Sequence, residues 1–167
     1  IGACKEIISQ LARRGGAERL DSTAAQRLDA WLEALRRRWH SLRPDANSRL
    51  VLASDLPAPP LLADPTLEQA VVNLLNNAAN ATTQAVEIRL GWCSLNITID
   101  IRDHGPGFPS DVLIHAGLRS LPAHPKGSGV GLMLTRSAIE QLGGRLILDN
   151  PDDGGALARI ELPRTNP

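Results

Sequence analysis

The chain has 167 residues, with 18 Lys plus Arg against 18 Asp plus Glu, so its formal net charge is zero and charge alone cannot make it a generic polyanion binder. Hydrophobic residues make up 43% and charged residues 22%, as in an ordinary soluble globular protein, and no apolar run approaches the roughly 20 residues needed to cross a bilayer. Two cysteines, Cys4 and Cys93, are too few for a disulfide scaffold or a structural zinc site and point to a reducing compartment. The chain opens on Ile1, and GACKEIISQL after it reads as a helix rather than a signal peptide, so a fragment of a longer protein is expected.

Cys4, Ile7, Ile8 and Leu11 fall at helical spacing, and Arg13-Arg14-Gly15-Gly16 ends that first amphipathic helix. Asp21-Ser22-Thr23 is a capping cluster before a second helix, near 23 to 42. Leu28, Trp31, Leu32, Leu35 and Trp39 repeat along one of its faces, and Arg36 to Arg38 form a solvated face. Trp31 and Trp39 read as core anchors. Residues 49 to 53 alternate weakly as a strand, and Leu56-Pro-Ala-Pro-Pro after them reads as a linker that cannot donate a regular ladder. A third helix follows, with Asp64 as N-cap, Pro65 at the first helical position, Glu68 in the first turn, and an apolar stripe of Leu67, Ala70, Val71, Leu74, Leu75 and Ala78.

Val86, Ile88 and Leu90 alternate with polar residues, Gly91 to Ser94 turn the chain, and Leu95, Ile97, Ile99 and Ile101 alternate back, giving a β-hairpin. From Asp103 to Ser128 periodicity disappears among four Pro and three His, the profile of a functional lid. Residues 130 to 142 form a helix closed by Gly143-Gly144, and strands at 145 to 149 and 156 to 162 flank the turn at 150 to 155. The order predicts an α/β fold: a two-layer sandwich with a mixed sheet, helices on one face and an additional N-terminal helical segment.

Three clusters carry chemistry. Asn73, Asn77 and Asn80 share a stripe of the third helix away from its apolar side. Asparagine costs about half a kcal/mol relative to alanine inside a helix, so a row of it invites a functional reason, and a carboxamide oxygen is a hard neutral ligand suited to a phosphate-bound Mg²⁺. Asp103, at a strand end, can accept a hydrogen bond from an exocyclic amine, with Gly105 and Gly107 letting the backbone approach a flat base. Gly127, Gly129 and Gly131 open the helix at Val130 and Leu132, where free N–H groups and the positive dipole end suit phosphate. The segment before them, Leu121 to Lys126, is not a strand, so a Rossmann reading fails its context.

Together these clusters resemble the catalytic, ATP-binding domain of bacterial sensor histidine kinases, in the GHKL superfamily shared with type II topoisomerases, mismatch-repair ATPases and a heat-shock chaperone. The resemblance spans about residues 45 to 163. It takes in an N box at Asn73 to Asn77, glycine boxes at Asp103 to Gly107 and Gly127 to Gly131, and trailing glycine and strand patterns from Gly143 to Pro163. The stretch from Ala3 to Leu11 and the NNAANAT form of the N box look most like the RegB/PrrB group of redox-responsive sensors. On this resemblance residues 1 to 20 are the last helix of a truncated dimerisation domain, and 21 to 167 are the catalytic domain, with its lid at about 104 to 128.

The resemblance implies that Asn77 coordinates Mg²⁺, Asn73 and Asn80 lie by the phosphates, and Asp103, Gly105 and Gly107 receive the adenine of ATP. Lys126, Gly127, Gly129, Val130, Gly131 and Leu132 line the phosphate side. It implies transfer of the γ-phosphoryl group to a His on a dimerisation helix, then to a response regulator receiver domain, in a homodimeric, membrane-anchored protein whose catalytic domain is cytoplasmic. No nucleic-acid partner is implied. ATP-hydrolysing relatives and anti-sigma-factor serine kinases carry a Glu at the position of Asn73, which cannot act as a base. None of His40, His104, His115 or His124 sits in a phosphoacceptor context, so this chain alone is expected to bind ATP without labelling itself.

The sequence departs from the family at several points. Asn80 stands where a Lys is usual, with Lys126 or Arg119 as candidate substitutes, and the Phe-rich box expected between the glycine boxes is absent, since Gly117-Leu-Arg-Ser-Leu121 contains no aromatic. A GHKL ATPase or serine kinase, and a degenerate interaction module, therefore remain as alternatives. Cys4 reads either as a small buried hydrophobe or as a redox-responsive thiol, and Cys93 as incidental.

Overall fold

The computed structural model describes residues 25–62, 64–115 and 130–164. The helix expected around Cys4, and Arg119, His124, Lys126, Gly127 and Gly129, lie outside the described residues.

Strand β1 (Gln26–Arg27) pairs antiparallel with β3 (Pro60–Leu61), and the Leu28 amide donates to the Pro59 carbonyl at 2.9 Å. This pairing corrects two sequence expectations. Helix α1 (Leu28–Leu42) begins where the chain leaves the small ladder, not near residue 23. The proline-rich segment is a ladder partner at its end, which Pro60 can join because a two-residue edge asks little of its missing N–H. Helix α1 buries Leu28, Trp31, Leu32, Leu35 and Trp39, the apolar face read from its periodicity.

Strand β2 (Ser48–Leu52) leads to helix α2 (Pro65–Ala81), which starts as its signals require: the Asp64 side chain accepts from the Thr66 amide at 2.7 Å and Pro65 occupies the first turn. Leu67, Ala70, Val71, Leu74, Leu75 and Ala78 are buried, so the helix lies apolar side down on the sheet. That sheet has the order β2-β4-β5-β7-β6, built with β4 (Val86–Trp92), β5 (Asn96–Arg102), β6 (Arg145–Asp149) and β7 (Leu157–Pro163). Only β2 and β4 run parallel, so the sheet is mixed.

Ile88, Leu90, Ile97, Ile99, Ile101, Ala158, Ile160 and Leu162 point to the helical layer and form the core with the helices. The opposite face carries cross-strand ion pairs, with Arg159 on Asp100 through two 2.7 Å bonds, Arg49 on Glu87 at 2.8 Å and Arg145 on Glu161 at 2.6 Å. One apolar and one charged face is what period-2 alternation dictates.

The hairpin turn is shifted from the expected Gly91 to Ser94. Gly91 and Trp92 continue β4, and the turn closes where the Cys93 amide donates to the Asn96 carbonyl at 2.9 Å. Burial of the Trp92 ring against the core draws the strand on past its glycine.

The segment read as a structureless lid contains a short helix, α3 (Ser110–His115), whose first bonds run from the amides of Val112 and Leu113 to the Pro109 carbonyl. Six residues cannot display a 3.6-residue repeat, which is why periodicity missed it. Helix α4 (Val130–Gln141) ends in a glycine cap: Gly143 has φ +75°, and the Gly144 amide donates to the Ile139 carbonyl at 2.9 Å.

Candidate functional site

Helix α2 positions four asparagines, and packing divides them. Asn77 and Asn80 are exposed, Asn73 is half-buried, and the spacing of 73, 77 and 80 keeps this row on the side away from the buried stripe. The Asn73 Oδ1 accepts from Gln69 Nε2 at 2.9 Å, which holds its amide along the helix surface. No side-chain hydrogen bond among the described residues engages Asn77, so its carboxamide faces outward unspent.

Asn76 belongs to another surface. Its Oδ1 accepts from Trp39 Nε1 at 2.9 Å and from Arg43 Nη1 at 3.4 Å, fastening α1 to α2. A second tie lies about two turns earlier on α2, where Glu68 accepts from Trp31 Nε1 at 3.3 Å and from Arg38 at 2.8 Å. The arginine run of α1 is therefore only partly solvated: Arg38 crosses to α2, and Arg36 reaches Glu33 and Ser48.

At the C-terminal end of α2 sits the first glycine segment. Asp103 follows β5 and is 5% exposed. Its Oδ1 accepts from the amides of Gly105 at 2.8 Å and Ala156 at 3.3 Å, while no donor among the described residues meets Oδ2. Burial pushes the Asp103 carboxyl above the usual aspartate range, against the opposing pull of those two amides. Gly105 is fixed by close approach, because a Cβ there would strike the Ala81 carbonyl at the last turn of α2.

Gly107 has φ +84° and faces the Asn150 amide. No sequence pattern singles that amide out, yet it clamps the loop: Oδ1 accepts from the Phe108 N–H at 2.7 Å and Nδ2 donates to the Phe108 carbonyl at 2.8 Å. An Asn opening the turn between β6 and β7 is its only sequence signal. Beside it, Arg102 bonds Asp153 at 2.6 Å and the Gly154 carbonyl at 3.1 Å, drawing that turn to the end of β5.

Gly131, the member of the third cluster that lies among the described residues, faces Asn73 across a groove of about 570 Å³ between α2 and α4, lined by Thr66, Gln69 and Asn73 on one side and Gly131, Leu134 and Thr135 on the other. A Cβ at Gly131 would meet nothing within 4 Å, so the space before it is open among the described residues. Leu132 packs partly buried against the core, and Val130 begins the helix. A larger cavity, about 650 Å³ between α1 and β2, is lined by Arg27, Asp29, Glu33 and Arg36, whose charges are paired among themselves.

Asn77 is the residue expected to meet a metal ion. Among the described residues no group of three or more His, Cys, Asp or Glu could hold one. A single exposed carboxamide fits a hard cation that brings its remaining oxygens from phosphate and water, and fits no all-protein cage. Among the described residues no helix is long and apolar enough to cross a membrane.

The carboxamide row thus lies on a helix over a mixed sheet, with Gly105 packed on the last turn of that helix and Gly131 across its groove. Residues 63–166 match the family described as "Histidine kinase-, DNA gyrase B-, and HSP90-like ATPase", and the chain belongs to that family. Within it, the chain is a catalytic domain of the sensor histidine kinase type. The sensor protein CseC of Streptomyces coelicolor is 32% identical over 160 residues, 93% of this chain and 29% of that protein. The C4-dicarboxylate transport sensor protein DctB of Pseudomonas aeruginosa is 35% identical over 121 residues, 66% of this chain and 20% of that one. The chain thus spans less than a third of either relative. Among solved structures, the mycobacterial sensor histidine kinase MprB superposes with a TM-score of 0.68 at 25% identity, over 84% of this chain and 97% of that one.

Proposed function

We propose that this domain binds Mg²⁺-ATP along α2 and, within a longer sensor kinase, delivers the γ-phosphoryl group to a histidine on a dimerisation helix. The observation that supports this reading is that Gly105, its amide bonded to Asp103, packs on Ala81 at the end of the helix that carries Asn73, Asn77 and Asn80, while Gly131 faces Asn73 across the groove. Asp103 Oδ2 accepts from the adenine amino group and the Gly105 and Gly107 backbone lies against the base. Asn77 holds the Mg²⁺, which supplies charge neutralisation on the phosphate oxygens. Asn73 and Asn80 flank the phosphates, and Lys126, Gly127, Gly129, Val130, Gly131 and Leu132 border them from the lid side.

In the transfer, an imidazole nitrogen of the acceptor attacks the γ-phosphorus, the bond to the β–γ bridging oxygen breaks, and ADP leaves. Because the imidazole is already nucleophilic, the domain needs no base of its own, and its contribution is positioning and charge. Asn73, a carboxamide bonded to Gln69, cannot deprotonate water. Slow hydrolysis is the consequence, which disfavours the ATPase and serine-kinase readings. The phosphoryl group then passes to an aspartate of a response regulator receiver domain. We place the domain at the cytoplasmic side of a homodimeric sensor of the RegB/PrrB kind, on the form of the N box and the Ala3 to Leu11 stretch that carries Cys4.

Calorimetric titration with Mg²⁺-ATP, then mixing with a dimerisation domain that carries the acceptor histidine, tests the reading. Binding followed by transfer of the γ-phosphate is expected. Failure to bind any adenine nucleotide would leave a non-catalytic interaction module, and multiple-turnover hydrolysis would favour an ATPase.

A further inference from the structure

The carboxamide row carries no positive charge, since Asn80 occupies its last position. A triphosphate beside three neutral amides and one metal ion would keep excess negative charge there. The structure brings a cation to that place from outside the helix. Arg43, the residue that ends α1, directs its guanidinium to α2: Nη2 donates to Asn80 Oδ1 at 3.1 Å and Nη1 to Asn76 Oδ1 at 3.4 Å. The nearest carboxylate is Asp45, 3.6 Å from Nε and itself 73% exposed, so the charge is only loosely compensated. The planar fork has five N–H donors, more than these contacts use.

We propose that Arg43 is a phosphate-contacting cation on the α2 side of this site, held in place by Asn80 and Asn76 in lieu of a lysine on α2. The inference deepens the nucleotide reading above and rests on it. Asn80 then has a positioning role: its carboxamide aims the guanidinium at the exposed end of the row, about one turn beyond Asn77. Asn76 shares its oxygen with Trp39, so the core contact of the Trp ring and the orientation of Arg43 are set by one atom. An arginine so fixed meets phosphate oxygens through a preorganised fork rather than through a flexible ammonium.

The test is calorimetric titration of the whole chain with Mg²⁺-ATP and, separately, with adenosine, which shares the base but has no phosphate. Arg43→Gln is expected to weaken ATP about tenfold, as the loss of one charge-assisted contact does. Adenosine affinity should stay unchanged, and the double variant Arg43→Gln with Asn80→Lys should recover most of the ATP affinity by restoring a cation on α2. Arg43→Met, which keeps an aliphatic stem against Asn76, serves as the second variant should Arg43→Gln fold poorly by circular dichroism. Unchanged ATP binding in a folded variant, or equal loss of ATP and adenosine, would overturn the proposal in favour of a purely structural arginine. If the unmodified chain binds neither ligand, the nucleotide reading itself fails and takes this proposal with it. If it binds both and the Arg43 variants bind them as the parent does, the reading stands and the proposal alone is wrong.

Discussion

Asn150 and Phe108 are 42 positions apart and share two hydrogen bonds of 2.7 and 2.8 Å, side-chain amide to main-chain peptide. That reciprocal pair joins the turn between β6 and β7 to the loop carrying Gly105 and Gly107, the loop proposed to receive the base.

Replacing Asn150 by Ala removes both partners and leaves a half-buried N–H and C=O unmade, at a cost of about 1–3 kcal/mol. Denaturant unfolding should register that loss, and ATP binding should weaken with it as the loop loosens. Asn150→Asp keeps the acceptor but turns the donor into a second oxygen facing a carbonyl, and should fall no closer to the parent than Ala does.

At Asp103, stability and the proposed contact with adenine should oppose one another. Its folded-state carboxyl is raised above the ordinary value by burial, so the ionised form is penalised on folding. The stability it contributes is present while it is protonated, below the unfolded value of about 3.9, and is lost as pH climbs through the raised folded value. Asp103→Asn keeps the Oδ1 acceptor for Gly105 and Ala156 without the charge. Near neutral pH its melting temperature should equal or exceed the parent's, while adenosine binding should fall by roughly an order of magnitude or more because the amide presents a donor or a weaker acceptor to the base. A variant less stable than the parent near neutral pH would contradict the burial argument.

The pH profile of binding follows from the same shift. Ionised Asp103 is the form that accepts from an amino group, so adenosine affinity should begin to drop on acidification at a pH above the normal aspartate range. The substitution Asp103→Asn should flatten that limb, and calorimetry from about pH 4 to about pH 8 reads both curves.

Asn77 and Asn73 should separate by metal dependence. Asn77→Ala is expected to abolish most of the gain in ATP affinity that Mg²⁺ confers and to leave metal-free binding nearly unchanged. Asn73→Ala should lower both to a similar degree. Titrations of each variant with Mg²⁺ and with a chelator give the constants required.

Trp39 anchors α1 twice over, by a ring 2% exposed and by its bond to Asn76. Trp39→Phe should cost about 1–3 kcal/mol by leaving part of a cavity and taking from Asn76 Oδ1 its shorter hydrogen bond, with only Arg43 left as donor, and Trp39→Ala about 3–5 kcal/mol. Urea unfolding distinguishes the two, and the Phe variant should also lose some ATP affinity through Arg43.

The amino-acid order alone determined the elements with strong local rules. Helix α2 announces itself through Asp64, Pro65 and a repeating apolar stripe, β4 and β5 through strict alternation, and α4 through its closing glycines, because capping and periodicity depend only on near neighbours along the chain. The three clusters and the family they resemble were legible there too. Contacts between distant residues were decided elsewhere: Asn150 on Phe108, Arg43 on Asn80 and Asn76, and Pro60 opposite Arg27 leave no periodic trace. Nothing local tells Asn76 from Asn77, adjacent residues about 100° apart on one helix; α1 lying along one flank of α2 turns the first into a structural tie and leaves the second facing outward. Which polar side chains are spent inside the molecule and which remain for a ligand is settled by how the layers pack, since a hydrogen bond requires a partner within about 3 Å regardless of its distance in sequence.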